Sequence, residues 1–378
     1  TGMYVSLDAG DHWTPFQLNL PVVPVTDLTL RNNDLVAATS GRAFWVLDDL
    51  SPLQQMTPES AAASLHLYAP RPTVQANFGG GFGGGSRTGQ NPPAGAQIFY
   101  GFAAAPGGLV TLEILDASGT VVRTWATDPK EAGNEAFSKL PAPTAGLNRL
   151  GWDFRAEGLP RVEGLMPYGS LQGRQLPPGA YQVRLTRGDA TATVPLRVDP
   201  DPRRTATLAQ YAEQDRVVAG AQDMARDLYE SVLSLRSVKE QVGQVVAATA
   251  DHEAADTVAA AGDSLTAKIA GWEGDLVQPG QKTFQDVINF LNQLDAQILA
   301  LVESVDGSEP PVTRGAQDRL RDLAAEWGAH ARARDALLQD DLAAFEALLD
   351  RLGVPHVILP RPRTGSRPIT EDREAGRR

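Results

Sequence analysis

The residues able to do chemistry are few and scattered. Five histidines, His12, His66, His252, His330 and His356, fall in different segments, and no pair has H-x-x-x-H or H-E-x-x-H spacing. Cysteine is absent, which removes thiolate nucleophiles, thiolate metal sites and disulfides together. No G-x-S-x-G elbow occurs. Asp48 and Asp49 are adjacent, so on a strand they point to opposite faces and cannot share one substrate; a turn-capping role suits them better. Asp8 and Asp11 offer too few oxygens for the six to eight that Ca²⁺ prefers. Gly79, Gly81 and Gly84 satisfy G-x-G-x-x-G, but Ser86–Gly89 and two prolines follow where a phosphate-binding loop needs a helix. No catalytic residue, cofactor or metal site is expected from these patterns.

The densest local pattern is SLDAGDHW, with Ser6, Asp8, Gly10 and Trp13 in an S-x-D-x-G-x-x-W arrangement. Met3 to Leu7 alternates like a strand. Asp8 can turn its carboxylate onto backbone N–H groups, as Asp does in Asx-turns. Gly10 supplies a positive φ that a side chain resists. Ser6 adds a second local hydrogen-bonding group, and Trp13 can lay its ring under the turn. These four residues describe a hairpin locked from inside.

The elements around it read as segments of different period. Val25–Leu30, Asp34–Thr39 and Ala43–Leu47 are closely spaced strands separated by Asn32-Asn33 and Ser40-Gly41. Residues 56–95 form a Gly-rich linker in which His66–Pro70 could add a short strand. Residues 96–200 contain six strand-like runs, from Ile98–Phe102 to Thr191–Val198. From 205 to 352 the apolar spacing becomes three and four. One helix carries Tyr211 to Val245 and a second Val258 to Leu276. A third is capped by Thr283 and runs through Ile288 and Leu291 to Leu301, and a fourth runs from Thr313 to Leu349. Short turns between four such helices imply an antiparallel four-helix bundle. Residues 353–378 read as a mostly disordered tail.

Charge follows the same division. Residues 1–204 hold 16 Lys and Arg against 18 Asp and Glu, a net of −2. Residues 205–352 hold 12 against 25, a net of −13, and 353–378 hold 6 against 3, a net of +3. The acidic balance belongs to the helices, where it reads as a solvated surface, and it argues against a nucleic-acid partner. No apolar run approaches the roughly 20 residues of a membrane-spanning helix.

SLDAGDHW resembles the Asp box, the bacterial-neuraminidase (BNR) repeat of sialidase-like and sortilin-like β-propellers. DLVAATSGRAFWVLDDL, from Asp34 to Leu50, is similar to the last blade of bacterial sortilin-type repeat proteins. That family often has a His where Ser40 stands, so no role for that His carries over. LNRLGWDF and LPPGAYQVRLT resemble an Ig-like β-sandwich, with Trp152 plugging the core and Pro178-Gly179 turning the chain into Tyr181.

The implied fold class is multidomain α and β. It comprises a β-propeller blade remnant (1–55), a linker (56–95), an Ig-like sandwich (96–200), a helical bundle (205–352) and a tail (353–378). About one and a half blades are present where four or more close a propeller, which leaves open strand edges. Thr1 lies in a strand pattern without an initiator Met, which reads as the C-terminal piece of a longer, extracytoplasmic or secreted protein. The resemblance implies binding of a protein, peptide or glycan through blades absent from this chain. The alternative is a sialidase-type glycoside hydrolase, as the family is often labelled, whose arginine cluster and Tyr–Glu pair would also lie in absent blades.

Overall fold

In a computed structural model, residues 2–76, 94–354 and 356 are described. The Gly79–Gly84 pattern, most of the Gly-rich tract and nearly all of the tail lie outside them. The chain has mixed α and β content, with a curled half-barrel sheet and several helices. It divides into two compact units: Thr1–Glu157 with Gln175–Leu208, and Gly158–Arg174 with Ala209–Arg378.

The first unit opens on a two-stranded ribbon, β1 (Tyr4–Val5) and β2 (Thr14–Pro15), pairing Tyr4 with Pro15 and Val5 with Thr14. A meander of β3 (Val25–Arg31), β4 (Asp34–Thr39) and β5 (Phe44–Leu47) follows. Its first turn is Asn32-Asn33, and both residues take positive φ, 52° and 66°. Asn tolerates that conformation, which is the one a two-residue hairpin needs.

Two short helices, α1 (Ser51–Gln55) and α2 (Pro58–Ala62), lead to β6 (His66–Leu67) and β7 (Thr73–Gln75). Seven strands complete the unit: β8 (Ala96–Phe102), β9 (Val110–Leu115), β10 (Val121–Ala126), β11 (Ser138–Lys139), β12 (Gly146–Trp152), β13 (Gly179–Arg187) and β14 (Ala190–Pro200). They form one sheet in the order β11-β10-β9-β13-β14-β7 and another in the order β12-β8-β6. Period-2 alternation turns Ile98, Leu112, Ile114, Val183 and Leu185 into one core shared by both sheets. Trp152 is fully buried there, edge-on to Phe154 and Tyr181, and its indole N–H donates to the Arg155 carbonyl at 2.9 Å.

The second unit contains α3 (Leu208–Ala248), α4 (Ala255–Leu276), α5 (Leu294–Asp306), α6 (Arg314–Ala336) and α7 (Ala343–Arg351), which share one apolar core. Thr313 caps α6 by accepting the Ala316 N–H. Between α6 and α7, Leu337–Leu342 forms a π-helical turn. Leu337 and Leu342 are both buried and five apart, so the i→i+5 turn brings both inward where an α-turn would not.

Two expectations are corrected. The third helix does not start at Thr283. Thr283 and Asp286 do form a capping box, but it closes only a 3₁₀ turn over Phe284–Ile288, and α5 begins at Leu294. Ile288 and Leu291 are 84% and 83% exposed, so these two apolar residues lend no burial to hold the stretch helical. The β region 96–200 is also interrupted. Gly158–Arg174 packs with the helices because Leu159 and Val162 enter their core. Arg174 pairs with Asp215 at 2.7 Å, Gln222 donates to the Gln172 carbonyl at 2.8 Å, and Ser170 N–H donates to Glu303 at 2.6 Å.

Candidate functional site

The hairpin between β1 and β2 is tied by side chains to its own backbone. Ser6 Oγ donates to Asp8 Oδ1 at 2.8 Å and accepts the Gly10 N–H at 2.7 Å. Asp8 Oδ1 also accepts the His12 N–H at 2.9 Å, while Oδ2 lies 2.6 Å from His12 Nδ1. The His12 backbone N–H, then its ring, then Ser6 hold the Asp8 carboxyl below the usual carboxylate range. Gly10 sits at φ 103°, and a Cβ built on it would meet nothing within 4 Å, so the backbone angle is what calls for glycine.

Trp13 donates its indole N–H to the Gly10 carbonyl at 3.0 Å. Its ring is nevertheless 63% exposed, so it is pinned beside the turn and not covered by it. A second indole uses the same device: Trp45 Nε1 donates to the Arg42 carbonyl at 3.0 Å, next to Gly41 at φ 83° and Ala43 at φ 58°. Sequence reading missed this lock because the glycine lies four residues before Trp45 and only three before Trp13.

The ribbon faces the meander across a recess of about 750 Å³, lined by Gly2, Met3, Tyr4, Trp13, Val25, Thr26, Asp27 and Leu28. Tyr4 lies opposite Pro15 on the ribbon, Trp13 just precedes β2, and both line the recess. The far wall is β3, an edge strand of its sheet. Among the described residues, Asp27 is the only charged side chain lining the recess.

Asp48 and Asp49 take part in a turn, as their adjacency suggests. Asp49 is buried at φ 60° and accepts the Ser51 N–H at 3.0 Å, ahead of α1. Its own N–H donates to Asp34 Oδ1 at 2.9 Å. Arg71 closes the group, with Nη1 at 2.8 Å from both Asp34 Oδ1 and the Asn32 carbonyl and Nε at 3.9 Å from Asp49. Burial first, then Asp34, pushes the Asp48 carboxyl up. One guanidinium bridging two turns is structural glue.

In the helical unit, Tyr229 donates to Asp295 Oδ2 at 3.2 Å, and both residues are buried. Burial pushes the Asp295 carboxyl up to about 6, partly offset by the Ala296 N–H and the Tyr229 hydroxyl. Glu273, also buried, pairs with Arg236 at 2.5 Å. Reading the helical acids as a solvated surface misses both, and nothing in their local spacing marks them.

The histidines stay apart. His12 serves Asp8, His66 meets Tyr68 edge-on, and His252 Nδ1 accepts the Ala254 N–H. The His330 carbonyl accepts from Trp272, and His356 Nδ1 lies 3.0 Å from the Val354 carbonyl. Among the described residues no group of three or more His, Asp or Glu side chains could hold a metal ion.

No family model, curated protein or solved structure matches the chain. Its chemistry is therefore read from these residues alone. An aromatic recess with a single carboxylate can bind a ligand. Among the described residues no helix is long and apolar enough to cross a membrane.

Proposed function

We propose that Met3–Leu47 is terminal blade material of a sortilin-like, Asp-box β-propeller, and that the chain serves an extracytoplasmic protein that binds a protein, peptide or glycan. In this reading β6–β14 form an Ig-like sandwich, and α3, α4, α5 and the continuous run of α6, the π-helical turn and α7 form an antiparallel four-helix bundle, both structural modules behind the propeller. The observation that carries it is the meander sheet, apolar on one face and apolar on the other at Val36, Ala38, Phe44 and Val46, where β3 instead places Asp27, Thr29 and Arg31. By register, Leu28, Leu30, Leu35, Ala37, Trp45 and Leu47 share one face, and Val36, Ala38, Phe44 and Val46 share the other. Leu30 is 64% exposed and Phe44 75%. A sheet with only one face on a core alternates apolar with polar residues, whereas a sheet covered on both faces reads as a continuous apolar run, as Leu35–Ala38 does. Propeller blades are covered on both faces by their neighbours, and the β1–β2 ribbon already lies beside β3 as the outer strands of a preceding blade would.

The test compares the full chain with a Leu28→Ser, Leu30→Ser, Phe44→Ser, Val46→Ser variant by sedimentation and by fluorescence of an apolar dye. The expected result is dye binding and self-association in the parent, both lost in the variant, with unchanged helical circular dichroism. A monomeric parent that ignores the dye refutes the blade reading. Turnover of a fluorogenic sialoside by the parent would replace it with the glycoside hydrolase.

A further inference from the structure

We infer that the recess between the β1–β2 ribbon and β3 is a recognition slot for an extended peptide strand carrying a lysine or arginine, whose cationic head sits among Trp13, Tyr4 and Asp27. The inference rests on the binding half of the function proposed above and not on the propeller half, since every residue invoked belongs to this chain.

Three observations converge on that ligand. The first is the open edge of β3. The meander is ordered β3-β4-β5, so β3 pairs with β4 on one side and turns its other edge toward the recess. Residues from both of its faces line the slot, Leu28 from one and Asp27 from the other, as an edge-on approach requires. An extended peptide adds to such an edge by main-chain hydrogen bonds, and flanking pockets then select its side chains.

The second is the pair of aromatic rings on the opposite wall. Tyr4 and Trp13 both line the slot and are 58% and 63% exposed, a large apolar area to leave in water. Trp13 is held in place by its bond to the Gly10 carbonyl, which the Ser6–Asp8–His12 network fixes in turn. A preformed ring loses little freedom when a ligand settles on it, and indole is the best of the aromatic faces for a cation.

The third is charge. Among the described residues Asp27 is the sole charged group lining the slot, its Oδ1 accepts the adjacent Leu28 N–H, and no cation pairs with it. Two π faces and one carboxylate without a competing base select a cation over an anion or a neutral side chain. A lysine or arginine also lays its methylene stem along Leu28 and Val25, which an isolated small cation does not.

The experiment uses the full chain and three fluorescein-labelled pentapeptides of alternating sequence, Val-Lys-Val-Lys-Val, Val-Thr-Val-Thr-Val and Val-Glu-Val-Glu-Val, read by anisotropy at low salt. The lysine peptide should bind tightest. Asp27→Asn, Trp13→Ala and Tyr4→Leu should each weaken it by roughly two- to fivefold, the range of an exposed cation–π or surface ion pair, and leave the threonine peptide unchanged. Asp27→Asn preserves side-chain size, so its effect separates charge from misfolding, and circular dichroism confirms the fold of the other two. Equal binding of the lysine and threonine peptides, preference for the glutamate peptide, or indifference to Asp27→Asn overturns the inference. A parent that is monomeric and ignores the dye, with lysine selectivity intact, would refute the blade reading and leave this one standing.

Discussion

Asp295→Asn should make the helical unit more stable at pH 8 and leave it nearly unchanged, or slightly weaker, at pH 4. Asp295 is buried, accepts the Ala296 N–H at 2.7 Å and the Tyr229 hydroxyl at 3.2 Å, and has its carboxyl pushed up to about 6 by burial. A folded pKa above the unfolded 3.8 means that the protonated form is favoured by folding. The contribution is therefore fully present below about pH 4 and is lost as pH rises through 6. A shift of about two units corresponds to about 3 kcal/mol between the two limits. Asparagine keeps the volume and one acceptor oxygen but cannot ionise. It forgoes that loss while weakening one hydrogen bond by about 1 kcal/mol, for a net gain near 2 kcal/mol at pH 8. Urea unfolding followed at 222 nm reads this directly, because α3–α7 dominate the signal. The difference between parent and variant cancels the titration of the other carboxylates. A difference that is constant between pH 4 and pH 8, or that favours the parent at pH 8, would refute the reasoning.

Two further outcomes follow from the packing. Gly169 lies at φ 150°, and a Cβ there would stand 2.6 Å from Leu299 Cβ, so Gly169→Ala should cost about 1–3 kcal/mol, visible as a lower urea midpoint of the helical signal. Arg71→Met removes the one cation that, among the described residues, pairs with the buried Asp49 and the half-buried Asp34, and should cost about 1–3 kcal/mol. Faster hydrogen exchange at Leu50 and Ser51 is its local signature, and unchanged exchange there would show that the guanidinium is dispensable.

How much of this was legible in the sequence depended on how local the cause was. Val25–Arg31, Asp34–Thr39 and, apart from the two-residue Ser138–Lys139, the strands from Ala96 to Pro200 announced themselves by alternation and turn residues, and Thr313 by its cap. The helix expected from Thr283 failed because a capping box starts a turn, while burial decides how far it propagates. Gly158–Arg174 could not be read at all. Its two anchoring residues, Leu159 and Val162, sit in an aperiodic Pro- and Gly-rich stretch, and their partners lie on helices far along the chain. Asp295 was equally hidden, since its burial depends on Tyr229, 66 residues earlier. The hairpin bonds of Ser6, Asp8 and Gly10 were legible, being within four residues. The recess beside them was not, because it needs β3 to lie across from the ribbon.

The helical unit is discontinuous along the gene-encoded order: part of its core is supplied by Gly158–Arg174, from within the run of β-strands. A cut-down version starting at Ala209 would surrender Leu159 and Val162 and lay bare the helix surfaces they cover. Evolution, or an engineer, can therefore transplant these helices only together with that loop.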